Sequence, residues 1–207
     1  MLSSVHRLIE KKAMLPLLTI MAQSHRLPRR KIIRLAAHDY RTPGAYFVTV
    51  CVQHHLCRFG KVKQERMHCN AGGEMIAAWW HRLSNKFPTV ETDAFVIMPN
   101  HLHGMIILHD PVGVDPRVHP TLTPKEVDAH MGASLPVVMQ WFKTMTTNAY
   151  IKGVQQHGWT PFCRKLWQRS YYEHIVRDQR DFDRIREYIH QNPAQWYFDR
   201  AHTAKRD

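Results

Sequence analysis

Two histidines separated by one residue, His101-Leu102-His103, follow the run Phe95-Val96-Ile97-Met98-Pro99-Asn100 near the middle of the chain. If residues 101–107 form a strand, side chains two apart point to one face, and both imidazoles project together as metal ligands must. Imidazole suits zinc, manganese and other transition ions, so the pair alone names no metal. It is equally the pattern of two core histidines whose ring nitrogens find protein partners. Far along the chain, Tyr188 is followed at four residues' distance by Asn192. If residues 180–191 form a helix, these two side chains lie one above the other. Two imidazoles, one amide oxygen and one phenol on facing elements would make a metal-assisted nucleophilic site. A free phenol has a pKa of ~10, so such a site must lower that value or accept the proton locally. Taken separately, Tyr188 is a boundary tyrosine with its hydroxyl in water, and Asn192 is a helix-terminal residue.

The chain around these residues has the size and composition of one domain with a real core. It has 207 residues, 44% hydrophobic and 22% charged, which excludes a disordered chain. Lys and Arg number 29 against 17 Asp and Glu, a formal charge of +12. A surplus of that size points to a polyanionic partner, nucleic acid first and an acidic membrane surface second, with a merely basic protein as the plain alternative. Sixteen histidines would add charge below about pH 6.5. Four cysteines, Cys51, Cys57, Cys69 and Cys163, form no CxxC pair. Cys51 and Cys57 flank His54-His55, but the spacing fits no standard zinc pattern, and reduced thiols in a cytoplasmic protein are expected. No run reaches the ~20 apolar residues that cross a bilayer. The apolar stretch 13–21 follows Lys11-Lys12 like a secretion signal, yet Pro16 interrupts it and a basic segment comes next. It reads as a short appended helix, or as sequence upstream of a start at Met14 or Met21.

The elements that must position the candidate residues follow from local pattern. Thr42-Pro43-Gly44 is a turn, and Ala45 to Gln53 a β-branched and aromatic strand. A hairpin around Phe59-Gly60 leads to a second strand near Lys61–His68. Met75, Ile76, Trp79, Trp80 and Leu83 recur at helical spacing within 71–86, with the Trp pair expected in the core. Val90 to Met98 and His101 to Leu108 are strands either side of a kink. Residues 109–132, rich in Pro, His and Gly, read as a loop. Leu135 to Ile151 is a second helix, Gly153 to Gly158 a connector, and Lys165 to Val176 holds a short strand. Asp178 to Gln191 is the last helix, closed by Asn192-Pro193 because a residue before proline is pushed from the α region. Strand, strand, helix, strand, strand, helix, strand, helix implies an α+β sandwich: one antiparallel sheet with helices packed on it.

The candidate nucleic-acid-binding residues fall in three places. Arg29, Arg30, Lys31 and Arg34 belong to a basic arm able to lie along a phosphate backbone, or to a solvated tail. Lys143 is on the second helix. The stretch 159–172 interleaves five aromatics, Trp167 among them, with Arg164, Lys165 and Arg169. Stacking rings beside cations are what unpaired bases require, and a core strand with snorkelling basic residues would look the same.

The runs FVIMPNHLHGMI, WQRSYYEHIVRDQRDFDRIREYIHQNP and LPRRK…YFVTV together resemble the REP-associated tyrosine transposases, single-tyrosine relatives of the His-hydrophobic-His single-strand nucleases. The resemblance spans residues 27–199, leaving an appendage at 1–26 and a basic tail at 200–207, and the loop at 109–132 is long for the pattern. It implies a ferredoxin-like sandwich with the His-x-His on a central strand. It implies that His101, His103 and Asn192 bind Mg²⁺ or Mn²⁺ and that Tyr188 is the nucleophile; related transposases carry glutamine at the position of Asn192. It also implies single-stranded DNA beside hairpins as substrate, cut through a 5′-phosphotyrosine link that can rejoin strands without ATP, in a monomer or homodimer. Two other classes stay open: a hairpin-binding module that keeps the fold without cleaving, and a zinc hydrolase using the histidines and a cysteine.

Overall fold

In a computed structural model, residues 39–110 and 133–198 are described. The appendage 1–26, the arm residues Arg29, Arg30, Lys31 and Arg34, most of the 109–132 loop and the tail 200–207 lie outside the described residues. Within them, strand β1 (Gly44–Cys51) leads through a 3-10 turn at Gln53–His55 to a hairpin, β2 (Gly60–Lys63) and β3 (Arg66–Cys69). Helix α1 (Ala71–Lys86), β4 (Val90–Met98), β5 (His101–Leu108), α2 (Leu135–His157), β6 (Tyr172–Ile175) and α3 (Gln179–Gln191) follow, and a 3-10 turn at Trp196–Phe198 is the last element among the described residues.

The main sheet has the order β4-β5-β1-β6, and every neighbouring pair is antiparallel. Two crossovers, β1-α1-β4 and β5-α2-β6, interleave to give that order, which is the ferredoxin-like arrangement. Strand alternation then divides the chemistry. From β1 and β5, Tyr46, Val48, Val50, Leu102 and Ile106 face one side, where Ile76, Trp80 and Leu83 of α1 and Val138, Met139 and Phe142 of α2 complete the main core. Phe47 and Met105 face the other side, where Ile185 and Ile189 of α3 cover them. An irregularity between Thr92 and Phe95 in β4 inserts one residue relative to β5. Val96 comes to lie opposite His103 as a result, and Phe95 opposite Gly104.

Several expectations need correction. The single strand expected at Lys61–His68 is the hairpin β2–β3, turning at Gln64 and Glu65 with φ of 48° and 61°. A turn with two left-handed residues favours Asn-Gly or Asp-Gly, so Gln-Glu carries no local signal for it. Helix α2 runs six residues past its expected end. Gly153 does not break it, because the missing side chain admits the Trp159 ring, whose nearest atom would lie 2.2 Å from a Cβ there. The helix stops at Gly158, the residue with φ of 65°. Asn192 keeps helical angles, φ −56° and ψ −40°, in spite of Pro193. The backbone turns on through Gln195 N–H to the Asn192 carbonyl, 3.1 Å, into the last 3-10 turn.

Gly104 sits between the two faces' demands. It follows the two histidines, and a Cβ on it would meet the Trp80 ring at 2.3 Å. The indole of α1 therefore lies directly on the backbone of the histidine strand. Gly104→Ala is expected to lower stability by about 1–3 kcal/mol, the usual range for overpacking a tight core. An unchanged urea midpoint for this variant would mean the indole is not seated there.

Candidate active site

His101 and His103 project from β5 toward the α3 side of the sheet and are almost fully buried, at 0% and 5% exposure. Their Nε2 atoms lie 3.0 Å apart. Two imidazole nitrogens at that distance need something positive between them: a proton carried by one, or a cation shared by both. The Nδ1 atoms point away and are engaged. Asn100 Oδ1 lies 2.7 Å from His101 Nδ1, and Thr49 Oγ1 lies 2.7 Å from His103 Nδ1. Burial first, and the neighbouring His101 second, hold the His103 pKa well below the ordinary imidazole value, so its ring is neutral near pH 7. Phe47 stacks on His103 at 5.4 Å between centroids, with planes 25° apart.

Helix α3 brings the phenol. Phe182, Ile185 and Ile189 form the apolar stripe that lies on Phe47 and Met105, and Tyr188 stands beside that stripe. Its hydroxyl is 3.4 Å from His103 Nε2, and its ring meets Phe47 edge-on at 6.0 Å. Tyr188 is 38% exposed, so an outside group can reach the hydroxyl. One turn on, Asn192 is 1% exposed, and its Oδ1 is buried without a hydrogen-bond partner among the described residues. One further turn on, Trp196 lies over His101 at 6.0 Å. Tyr188 and Trp196 thus meet His103 and His101 respectively, and Asn192 lies between them along the chain. An unsatisfied buried acceptor is costly, and a cation is one way to satisfy it.

The donor set fits a divalent cation: two imidazole nitrogens and one amide oxygen. Among the described residues no group of three His, Cys, Asp or Glu could hold a metal, so a third donor drawn from them would be of another type. The Cys51–Cys57 stretch belongs to no such group among the described residues, and all four cysteines are free thiols.

Polar contacts hold α3 in place beside its small apolar footing. Asp178 caps the helix by accepting from the Asp181 N–H at 2.8 Å. The Asp181 carboxylate accepts from His174 Nε2 of β6 at 2.8 Å and from Arg184 at 2.5 Å. Arg186 grips both oxygens of Asp93, at 2.8 and 2.7 Å, beside the irregularity in β4.

The proposed DNA contacts are scattered more widely. Arg164, Lys165 and Arg169 are exposed on the segment before β6. The Lys143 ammonium instead donates to the backbone carbonyls of Gln168 and Arg169, at 2.5 and 2.9 Å, and ties that segment to α2. Trp167 is a correction. At 3% exposure it lies in the core between Phe59 and Phe142, and its indole N–H donates to Thr146 Oγ1 at 2.9 Å. The bridge from Val52 to Trp167 pulls this residue inward, so its ring is not open to a base. Sequence reasoning missed Thr49, Phe47, Asn100 and Trp196. Only Asn100 left a local trace, as a polar residue directly before a buried strand.

The family model described as "Transposase IS200 like" matches residues 126–192, a span that holds Tyr188 and Asn192 but not the histidine pair. An uncharacterized protein of Haemophilus influenzae is 33% identical over 178 residues, covering 84% of this chain and 93% of that protein. The chain belongs to the IS200-like transposase family. Two solved structures are also similar. One is a REP-associated tyrosine transposase bound to a REP hairpin, 18% identical, with TM-score 0.44 over 80% of this chain and 76% of that one. The other is a putative transposase from Deinococcus radiodurans, 13% identical, with TM-score 0.39 over 76% of this chain and 95% of that one. No helix among the described residues of this transposase is long and apolar enough to cross a membrane.

Asp181 gives the transposase a measurable signature of α3 docking. Its hydrogen bonds from His174 and Arg184 lower its pKa from 3.8 to about 2. A depressed carboxylate stabilises the fold above its unfolded pKa and loses that contribution as pH falls through the folded value. The urea midpoint should therefore fall between pH 4 and pH 2, and Asp181→Asn should flatten that fall. Equal slopes for the two proteins would remove Asp181 from the docking of α3.

Proposed function

We propose that this transposase cuts single-stranded DNA beside a hairpin and transfers the strand through a 5′-phosphotyrosine link to Tyr188. His101, His103 and Asn192 would hold the divalent cation, Mg²⁺ or Mn²⁺. The observation that carries the proposal is the distance of 3.4 Å between the Tyr188 hydroxyl and His103 Nε2, itself 3.0 Å from His101 Nε2. A phenol within reach of two convergent imidazoles is the arrangement a metal-assisted nucleophile needs.

A bound cation would supply Lewis acidity at the scissile phosphate and the leaving 3′ oxygen. The donors from the chain are all neutral, so they cancel none of the cation's charge and leave it for the phosphate. Mixed nitrogen and oxygen ligation suits Mn²⁺ better than Mg²⁺, which favours oxygen ligands. The chain's own residues would do the rest. Phe47 and Met105 seat α3 so that Tyr188 faces the histidines. The Tyr188 oxygen attacks phosphorus, the bond from phosphorus to the 3′ oxygen breaks, the phenolic proton leaves to solvent, and the 3′ oxygen takes one up. The new ester keeps the bond energy, so attack by another 3′ hydroxyl reverses the step and joins strands.

The sequence resemblance to REP-associated transposases supports hairpins of short imperfect palindromes as the substrate. The net charge of +12 supports a DNA partner. Arg164, Lys165 and Arg169, with the arm residues Arg29, Arg30, Lys31 and Arg34, are the cations proposed to hold it. The protein would act in the cytoplasm as a monomer or homodimer.

The test uses an end-labelled oligonucleotide with a single-stranded flank beside a hairpin, incubated with Mn²⁺ and run on a denaturing gel. Wild-type protein should form a covalent adduct, and Tyr188→Phe should bind the oligonucleotide equally well without forming one. Adduct formation by Tyr188→Phe would move the nucleophile elsewhere, with Tyr172, exposed beside Phe47, the next to examine. Binding without adduct in the wild type would favour the non-cleaving hairpin-binding module.

A further inference from the structure

We infer that Asn100 and Thr49 are positioning residues that hold both imidazoles as Nδ1–H tautomers, leaving both Nε2 lone pairs for one cation. The inference rests on the proposal that His101 and His103 are metal ligands, and it names what makes them so. An imidazole binds a metal through one nitrogen only if the proton sits on the other, and the partner of that second nitrogen decides where the proton goes.

For His101 the decision is forced. The Asn100 side chain is buried, and its Nδ2 donates to the His55 carbonyl at 3.1 Å. That bond fixes which way the amide faces, because turning it over would set its oxygen against a carbonyl oxygen. Oδ1 therefore faces His101 Nδ1 at 2.7 Å and can only accept, so the proton is on Nδ1. The His55 carbonyl is itself held. The residue has φ of 54°, its ring Nε2 lies 2.9 Å from Gln168 Nε2, and the Gln168 backbone N–H donates to the Cys51 carbonyl at 2.9 Å. The Asn100 carbonyl accepts from the Val52 N–H at 2.8 Å, which ties the same loop from the other side.

For His103 the partner is a hydroxyl. Thr49 stands directly opposite His103 in the β1–β5 pairing, and its Oγ1 is 2.7 Å from Nδ1. A hydroxyl can accept as well as donate, so Thr49 takes the Nδ1 proton's hydrogen bond when Nε2 is a ligand. Asn100 thus dictates one tautomer, and Thr49 supports the matching one on its neighbour.

The experiment measures Mn²⁺ affinity of the full-length protein from the free-ion resonance signal, with no DNA and no turnover. Thr49→Val keeps the side-chain shape and should weaken binding about 10- to 100-fold, the usual effect of removing a ligand's supporting partner. Thr49→Ser should restore it. Asn100→Leu, which removes the acceptor toward His101, should lose at least as much as Thr49→Val. Nitrogen-15 correlation spectra of the Mg²⁺-loaded wild type should show Nδ1–H on both rings, and these decide the role of Asn100 even if Asn100→Leu fails to fold. Wild-type affinity in folded Thr49→Val, or an Nε2–H ring at either histidine in the loaded protein, would overturn the assignment of that residue. A wild type that binds no Mn²⁺ would overturn the metal site itself, a result distinct from a wild type that binds while the variants match it.

Discussion

The pairing register between β1 and β5 is the constraint on which the candidate site depends. It sets Thr49 against His103 and Phe47 against Met105. Because strand side chains alternate, a slip of one residue would send both histidines into the layer filled by Trp80 and Phe142 and turn Leu102 and Ile106 toward α3 instead. The main core makes that slip prohibitive. Val48, Val50, Leu102 and Ile106 are fully buried, and each fully buried aliphatic side chain is worth roughly 1.5–3 kcal/mol. The apolar half of each strand thereby fixes where the polar half points, and Gly104, with Trp80 upon it, pins the strand at the residue next to His103.

The opposite face is built on a different balance. Helix α3 rests on a small cluster, with only Ile185 and Ile189 of its own residues fully counted in that core. The rest of its placement comes from Asp181 with His174, and from Arg186 with Asp93. The carboxylates of these pairs are largely covered and their cationic partners partly open to solvent, so the attachments respond to salt and acid in a way apolar packing does not. The sheet thus holds the histidines rigidly, whereas the helix carrying Tyr188 and Asn192 has lighter attachments. A nucleophile of the kind proposed for Tyr188, which would give up and regain a DNA strand, is better carried on the lighter element, because local opening draws on regions with few buried contacts.

Much of this was legible in the sequence where the signal is local. The α1 span 71–86 and the strands 90–98 and 101–108 follow from periodicity alone, and so does the placing of Tyr188 and Asn192 a turn apart on α3. What could not be read is non-local. Thr49 lies in an apolar run with nothing to mark its partner, since register is decided by pairing across 54 residues. The Gln64-Glu65 turn lacks the residues that announce left-handed turns. Trp167 sits among cations in a pattern equally suited to binding a base or filling a core, and only the bridge to Val52 settles that it fills the core. The direction of the Asn100 amide depends on the carbonyl of His55, 45 residues away.

The central claim is that His101, His103 and Asn192 converge on one cation beside Tyr188. Anomalous diffraction from crystals grown with Mn²⁺ tests it most directly. The account predicts a single strong peak bonded to both Nε2 atoms and to Asn192 Oδ1, on the Tyr188 side of the histidine pair. A peak bonded to the histidines with the Asn192 amide turned away, or manganese bound only elsewhere on the chain, would contradict it.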